Sequence, residues 1–319
     1  MIWPVSAQAE GPQLVVVTVT YNSLSHLPDF AQSLGRGMGD LRWHVVVADN
    51  ASSDGTPEAA ESMAWPQGGA ATVVRTGGNL GYAGGINRAL ELVPPELPVL
   101  VVNPDVRFEE GAVVHLLEAL GPDTGIAVPV QLDRDGRPLP TLRREPSVTR
   151  AWGEALLGGT RGGGHDRLGE MVTDPARYGE PTTADWATGS VMAISPACRG
   201  VVEPWDDRYF LYSEETDFAL RARDRGFRLR LVPEARCRHL LGDSHVNPAL
   251  WALLSVNRVR LFRRRHGALS TAAFRLALAA GSGLRAVTTR RATHRAAFLA
   301  LVTPASRWPE LGRRLSRGT

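Results

Sequence analysis

The string Tyr212-Ser-Glu-Glu-Thr-Asp217 crowds three carboxylates into four positions. Carboxylates that close raise one another's pKa, which brings one of them toward neutrality, where it can take a proton from a hydroxyl. A positioned base of this kind contributes about 10²- to 10⁴-fold to a rate. Glu215 and Glu214 are the candidate bases. Asp217 opens a stretch with helical spacing, 216–225, and reads instead as a carboxylate stabilised by the helix dipole. A second kind of acid stands in Asn103-Pro-Asp105, where a proline after an apolar run presents Asp105 rigidly. Hard cations such as Mg²⁺ and Mn²⁺ choose oxygen ligands. A divalent ion there would neutralise the charge that builds on a departing diphosphate. The competing reading of Asp105 is a simple helix cap.

Three short β-branched runs must position these groups: Leu14–Thr20, His44–Asp49 and Val99–Asn103. Each reads as a buried strand. Helical stretches around 27–34, 56–63 and 83–92 alternate with them, which predicts βαβ units and a mainly parallel sheet flanked by helices. Ligands of such sheets lie beyond the carboxyl ends of the strands. The residues found there are Tyr21-Asn22, the string Asp49-Asn50-Ala-Ser-Ser-Asp-Gly55, and Pro104-Asp105. Glycine-rich 77–87, with Asn79 and Gly84, leads into a helix; its amides suit a diphosphate or a sugar, or its glycines simply let helix and sheet approach. It matches neither GxGxxG nor GxxxxGK[ST], which disfavours dinucleotide oxidoreductases and P-loop enzymes. Turns are expected over 133–140, a mobile loop over 158–164, and a strand-like run over 185–195.

Composition is that of a globular chain: 319 residues, 43% hydrophobic and 22% charged. All 36 basic residues are arginine, a bias that reads as codon usage in a GC-rich genome. Two cysteines, Cys198 and Cys237, are too few to staple a fold of this size, so a reducing cytoplasm is expected. Neither a leader at Met1–Gln13 nor an eighteen-residue apolar run is visible, which predicts a soluble or peripheral protein. The net charge of +3 conceals a division, since fourteen arginines stand against the single acid Glu310 from Arg258 onward. Leu269, Ala272, Ala273, Leu276, Ala280, Leu284 and Val287 recur there at helical spacing. Such a basic amphipathic helix lies on a membrane surface or packs on the domain with its arginines in water. Nucleic acid is disfavoured because no binding motif accompanies the tail.

Five strings, Val-Thr-Tyr-Asn22, Asp49–Gly55, Gly78-Asn-Leu-Gly-Tyr-Ala-Gly-Gly-Ile-Asn87, Asn103-Pro-Asp105 and Tyr212–Asp217, resemble in order and spacing those of the family 2 glycosyltransferases, the rhamnosyltransferase-like branch above all. The likeness spans about residues 14–266. It implies a GT-A fold and sugar transfer with inversion, from a dTDP- or UDP-sugar to a saccharide, polyprenyl-linked or small-molecule acceptor. By that likeness Thr20, Asn22 and Asp49 surround the base and ribose. Asp105 matches the last acid of the family's metal motif, whose first acid is Asn103 here, and His239, in His239-Leu-Leu-Gly-Asp-Ser244, matches a late histidine that completes the Mg²⁺ or Mn²⁺ site. Trp186 and Gly189 match a segment lining the sugar and acceptor side. Where relatives carry the aspartate base, this chain has Glu215. The expected division is a transferase domain over 1–266 and an arginine-rich helical extension over 267–319. The alternative function is a non-catalytic nucleotide-sugar binder on the same scaffold.

Overall fold

A computed structural model describes residues 11–66, 69–133, 135–240 and 247–308. The rest of the histidine string, 241–246, and the end of the tail, Glu310 included, lie outside the described residues.

The first third alternates as the periodicity predicts, with one further strand, Ala70–Arg75, that sequence reasoning missed. It runs β1 (Leu14–Thr20), α1 (Leu27–Met38), β2 (Trp43–Asp49), α2 (Thr56–Ser62), β3 (Ala70–Arg75), α3 (Gly81–Leu90) and β4 (Val99–Val102). These four strands are parallel, in the order β3-β2-β1-β4. Because side chains alternate along a strand, Val15 and Val17 pack with Ile86 of α3 on one face, while Leu14 and Val16 pack with Phe30 and Leu34 of α1 on the other. Both faces are therefore covered, and β1 and β2 are apolar almost throughout.

The chain continues through β5 (Val106–Phe108), α4 (Ala112–Glu118), β6 (Thr124–Leu132), β7 (Leu142–Arg143), α5 (Val148–Leu157), α6 (Gly159–Gly163), β8 (Thr182–Ala184), β9 (Trp186–Ala187) and β10 (Val191–Ile194). Then come α7 (Pro196–Val202), α8 (Glu214–Asp224) and β11 (Arg228–His239). The sheet extends as β4-β10-β6-β11-β5, with β8 also on β11, and β7 pairs separately with β9. Antiparallel β10 wedges between β4 and β6, so the sheet is mixed beyond β4. The strand-like run expected over 185–195 is two strands broken at 188–190.

One expectation fails in the second half. The glycine stretch 158–164 is no mobile loop: it forms α6 and packs tightly. A side chain on Gly163 would stand 2.7 Å from Thr173, and one on Gly162 would stand 2.9 Å from the Leu168 carbonyl oxygen. Glycine here allows close approach of backbones and not freedom of movement. Two free cysteines, Cys198 and Cys237, are both buried.

Helices α9 (Pro248–Arg265), α10 (Ala268–Thr289) and α11 (Ala292–Val302) close the described chain. They share an apolar core with α5, in which Phe262 of α9 stacks on Phe274 of α10 at 4.2 Å. No described helix is long and apolar enough to cross a membrane.

Candidate functional site

The carboxyl ends of β1, β2 and β4 open on a cavity of about 520 Å³. Thr20, Tyr21, Asn50, Asn79, Asn103 and Asp105, all singled out from the sequence, line it. Asn50 reaches it because its amide donates to the Gly81 carbonyl at 2.9 Å, while Asn79 accepts from the Gly81 amide at 3.0 Å. Asp49 and Asn22 stand just behind. The buried Asp49 carboxylate accepts from Thr20 Oγ1 at 2.9 Å and from the amide and hydroxyl of Ser52 at 2.9 and 2.6 Å. It fixes the two hydroxyls that face the same loop. Asn22, at φ 51°, accepts from the Ser53 amide at 2.8 Å and donates its own amide to Ser52 Oγ.

At the β4 end, Asp105 Oδ2 lies 3.2 Å from His239 Nε2, at the tip of β11. Its other oxygen, Oδ1, is buried without a hydrogen-bond partner. Burial pushes the Asp105 carboxyl up, but the hydrogen bond and charge of His239 outweigh this and leave it below its ordinary value. A buried, unpartnered carboxylate oxygen beside an imidazole is a donor pair whose chemistry suits a hard divalent ion such as Mg²⁺ or Mn²⁺. No group of three or more His, Cys, Asp or Glu side chains gathers into a ligand cage among the described residues.

The two glutamates enter from α8. The backbone just before it is unusual: Phe210, Tyr212 and Ser213 all have positive φ, at 65°, 68° and 77°. Such conformations persist where the surroundings over-determine them. Asn257 of α9, fully buried, donates its amide to the carbonyls of Tyr209, Leu211 and Tyr212 at 2.8, 2.9 and 3.2 Å. From the other side, the Tyr82 amide donates to the Phe210 carbonyl at 2.7 Å, and a side chain on Gly81 would collide with that carbonyl. Thus the N-terminus of α3 and the middle of α9 clamp the turn that presents Glu214 and Glu215.

Glu214 is buried, and its Oε2 has no partner. Burial and the neighbouring Glu215 push its carboxyl well above the ordinary range. Glu215 is half-buried. Burial raises it to about 7, against the pull of backbone amides at the helix start and of Arg143. Tyr82 lies between the two sets of acids: burial first, then the charges of Glu214, Glu215 and Asp105, push its phenol well up. Its hydroxyl donates to the Gly189 carbonyl at 3.0 Å. Gly189 lies against Glu215, where an added Cβ would come within 2.9 Å of the glutamate's own Cβ.

Residues 15–178 match the family described as Glycosyl transferase family 2. The chain belongs to the family 2 glycosyltransferases. It is 32% identical over 240 residues to the N-acetylglucosaminyl-diphospho-decaprenol L-rhamnosyltransferase of Mycobacterium tuberculosis, a match covering 71% of this chain and 75% of that one. A low-salt glycan biosynthesis hexosyltransferase of Haloferax volcanii is 28% identical over 214 residues, covering 66% of this chain and 61% of its own. Among solved structures, a mannosyltransferase from Pyrobaculum calidifontis in complex with GDP-Man and Mn²⁺ superposes with a TM-score of 0.53 at 18% identity, covering 96% of this chain and 86% of that one. The fold of this transferase is accordingly GT-A, with a helical C-terminal region.

Not every residue singled out in the transferase's sequence reaches the cavity. Gly84 is buried within α3 against Leu80, outside the lining. Gly85 presses on Val19 of β1, so this part of the glycine-rich string serves helix–sheet approach. Trp186 donates its indole N–H to the Arg144 carbonyl at 3.0 Å and carries Arg143 over its ring at 5.8 Å, so it braces the cation beside Glu215. Asp217 bonds Arg221 at 2.7 Å at the start of α8, as its helix-start reading has it. Sequence reasoning missed Tyr82, Phe210, Leu211, Asn247 and Leu250 among the lining residues. Asn247 carried a usable signal, a capping asparagine before proline, and it accepts from the amides of Ala249 and Leu250. Leu211 and Leu250 carried none.

Proposed function

We propose that the chain is an inverting, metal-dependent glycosyltransferase that moves a deoxysugar from a nucleoside diphosphate to an acceptor hydroxyl. The observation that carries this is the arrangement across one site: the unpartnered Asp105 oxygen beside His239 at one end, and the raised Glu215 carboxyl at the other, with Tyr82 between. Thr20, Tyr21, Asn50 and Asn79 hold the nucleotide, with Asp49 and Asn22 fixing the loop behind them. Asp105 and His239 would hold Mg²⁺ or Mn²⁺, with Asn103 alongside, and the ion would supply neutralisation of the charge on the departing diphosphate.

In the reaction the acceptor oxygen bonds the anomeric carbon and the carbon–oxygen bond to the diphosphate breaks, its electron pair leaving with the phosphate. The acceptor proton passes to the Glu215 carboxylate. Gly189 gives Glu215 room, and Glu214 beside it has its carboxyl pushed up by burial and by Glu215. Rhamnose from dTDP-rhamnose is the favoured donor sugar, because the mycobacterial relative is named a rhamnosyltransferase. A polyprenyl-diphosphate-linked saccharide is the favoured acceptor on the same ground, with the chain placed at the membrane surface through its C-terminal helices. We also place the boundary between transferase domain and helical extension at 266/267.

Titrating UDP-, dTDP- and GDP-sugars with Mg²⁺ or Mn²⁺ tests the assignment. Metal-dependent binding of one donor class is expected, and Asp105→Ala should remove the metal dependence. If no nucleotide binds, or if Asp105→Ala changes nothing, the donor-site assignment fails.

A further inference from the structure

Helix α10 is built inside out for a helix at a protein surface. Between Ala272 and Val287 every exposed side chain is apolar: Ala272, Leu276, Ala280, Leu284 and Val287, spaced at three or four residues so that they form one stripe. Leu269 extends the stripe by a turn. Leu269 is 89% exposed, Leu276 60% and Val287 77%. At 1.5 Å per residue the stripe from Leu269 to Val287 runs roughly 27 Å. The two arginines inside the helix do not mitigate this. Arg275 turns sideways to the carbonyls of Leu301 and Thr303 at 2.6 and 2.7 Å, and Arg285 turns to the Glu154 carbonyl at 3.1 Å. Leu156 of α5, 72% exposed, and Leu299 and Val302 of α11 add to the apolar surface of this helical layer.

Charge identifies what covers it. From Ala268 to Trp308 the chain has six arginines and no acid. Arg290, Arg291 and Arg295, at the end of α10 and the start of α11, are all exposed. A second copy of the chain would lay this cationic layer against itself, which costs energy at close range. An anionic lipid surface answers both features at once, taking the leucines among its acyl chains and the arginines among its headgroups. A groove of about 540 Å³ between α9, α10 and α11 opens beside the stripe, lined by Leu276, Val302 and Trp308 among others, and gives an acyl chain somewhere to lie. Since no described helix can cross a bilayer, the layer lies on it.

We infer that the apolar stripe of α10 and its flanking arginines form the surface by which this chain docks on anionic bilayers. The inference deepens the membrane placement proposed above, and it assigns the docking to the leucines as much as to the arginines. The test is flotation of the full chain with vesicles of phosphatidylglycerol and phosphatidylcholine, against phosphatidylcholine alone. The expected result is binding that needs the anionic lipid. It should fall about tenfold or more in Leu269→Ser/Leu276→Ser/Val287→Ser, and Arg290→Ala/Arg291→Ala/Arg295→Ala should bind with reduced salt sensitivity. The serine variant changes only exposed positions, so its thermal midpoint and its nucleotide binding should match the parent. Equal binding of the serine variant, or no preference for the anionic vesicles, overturns the inference. So does a dimer in sedimentation that the serine variant abolishes, which would make a second copy the occupant. Nucleotide binding is read in the same samples, so loss of docking with intact donor binding leaves the transferase reading standing.

Discussion

As the proposed base, Glu215 meets two demands that oppose each other. To take a proton it must be ionised, yet burial holds its carboxyl at about 7. Turnover should therefore rise with pH through about 7 and level off above it, as a pH profile of kcat will show. Glu215→Gln should lower kcat by about 10²- to 10⁴-fold while donor affinity holds. Equal activity would move the role to Glu214. Stability carries the opposite sign. A carboxyl with a raised folded pKa binds its proton more tightly when folded, so its contribution is present at low pH and is lost as pH climbs from the unfolded value to about 7. At pH 8 the glutamine variant should melt higher than the parent, on the order of 2–4 °C for each 1 kcal/mol regained. An inactive variant that is more stable is the signature of a buried base, and a merely structural glutamate would lose stability instead.

At the scale of elements, the break between β9 and β10 meets α8 at Gly189. A methyl there would drive into Glu215 Cβ. Gly189→Ala should cut kcat about tenfold or more and leave the donor dissociation constant near its parent value, since Gly189 itself does not line the cavity. Steady-state kinetics beside a nucleotide titration will check the split. The same junction shows what was legible beforehand. Strands β1, β2 and β4 are continuous β-branched runs, and helices α1 to α3 have clear periodicity, so the parallel half and the acids at its rim could be read directly. The twelve-residue β11 was missed, although its arginines alternate outward against buried Leu229, Leu231, Ala235 and Cys237. Arginines at every second place look like a charge run until a partner strand gives them a face. The contact of Gly189 with Glu215 joins residues 26 apart, and Tyr82 with Gly189 joins residues 107 apart. Spacing along the chain holds no trace of such pairs. The glycine stretch 158–164 misled for a related reason, because glycine marks freedom in a loop and close approach in a packed core.

For the molecule as a whole, the C-terminal helices are part of one core and not an appendage in water. Ending the chain after His266 would strip α10 and α11 from Val259, Phe262 and Leu253, each losing about 1.5–3 kcal/mol of burial. Against a typical stability of about 5–15 kcal/mol, that deficit should leave the shortened chain aggregated or melting at least ~10 °C lower, measurable by light scattering and calorimetry. The buried amide of Asn257 gives this layer a second significance. One side chain of α9 holds three carbonyls of the turn before Glu214, and the same helix backs α10 through Phe262. If α10 docks as inferred, the docking layer and the turn before Glu214 rest on the same helix, α9. Should a bilayer tighten the grip on the nucleotide by some factor, thermodynamic linkage obliges the nucleotide to tighten the grip on the bilayer by that same factor. The loaded enzyme would then stay longer at the surface than the empty one.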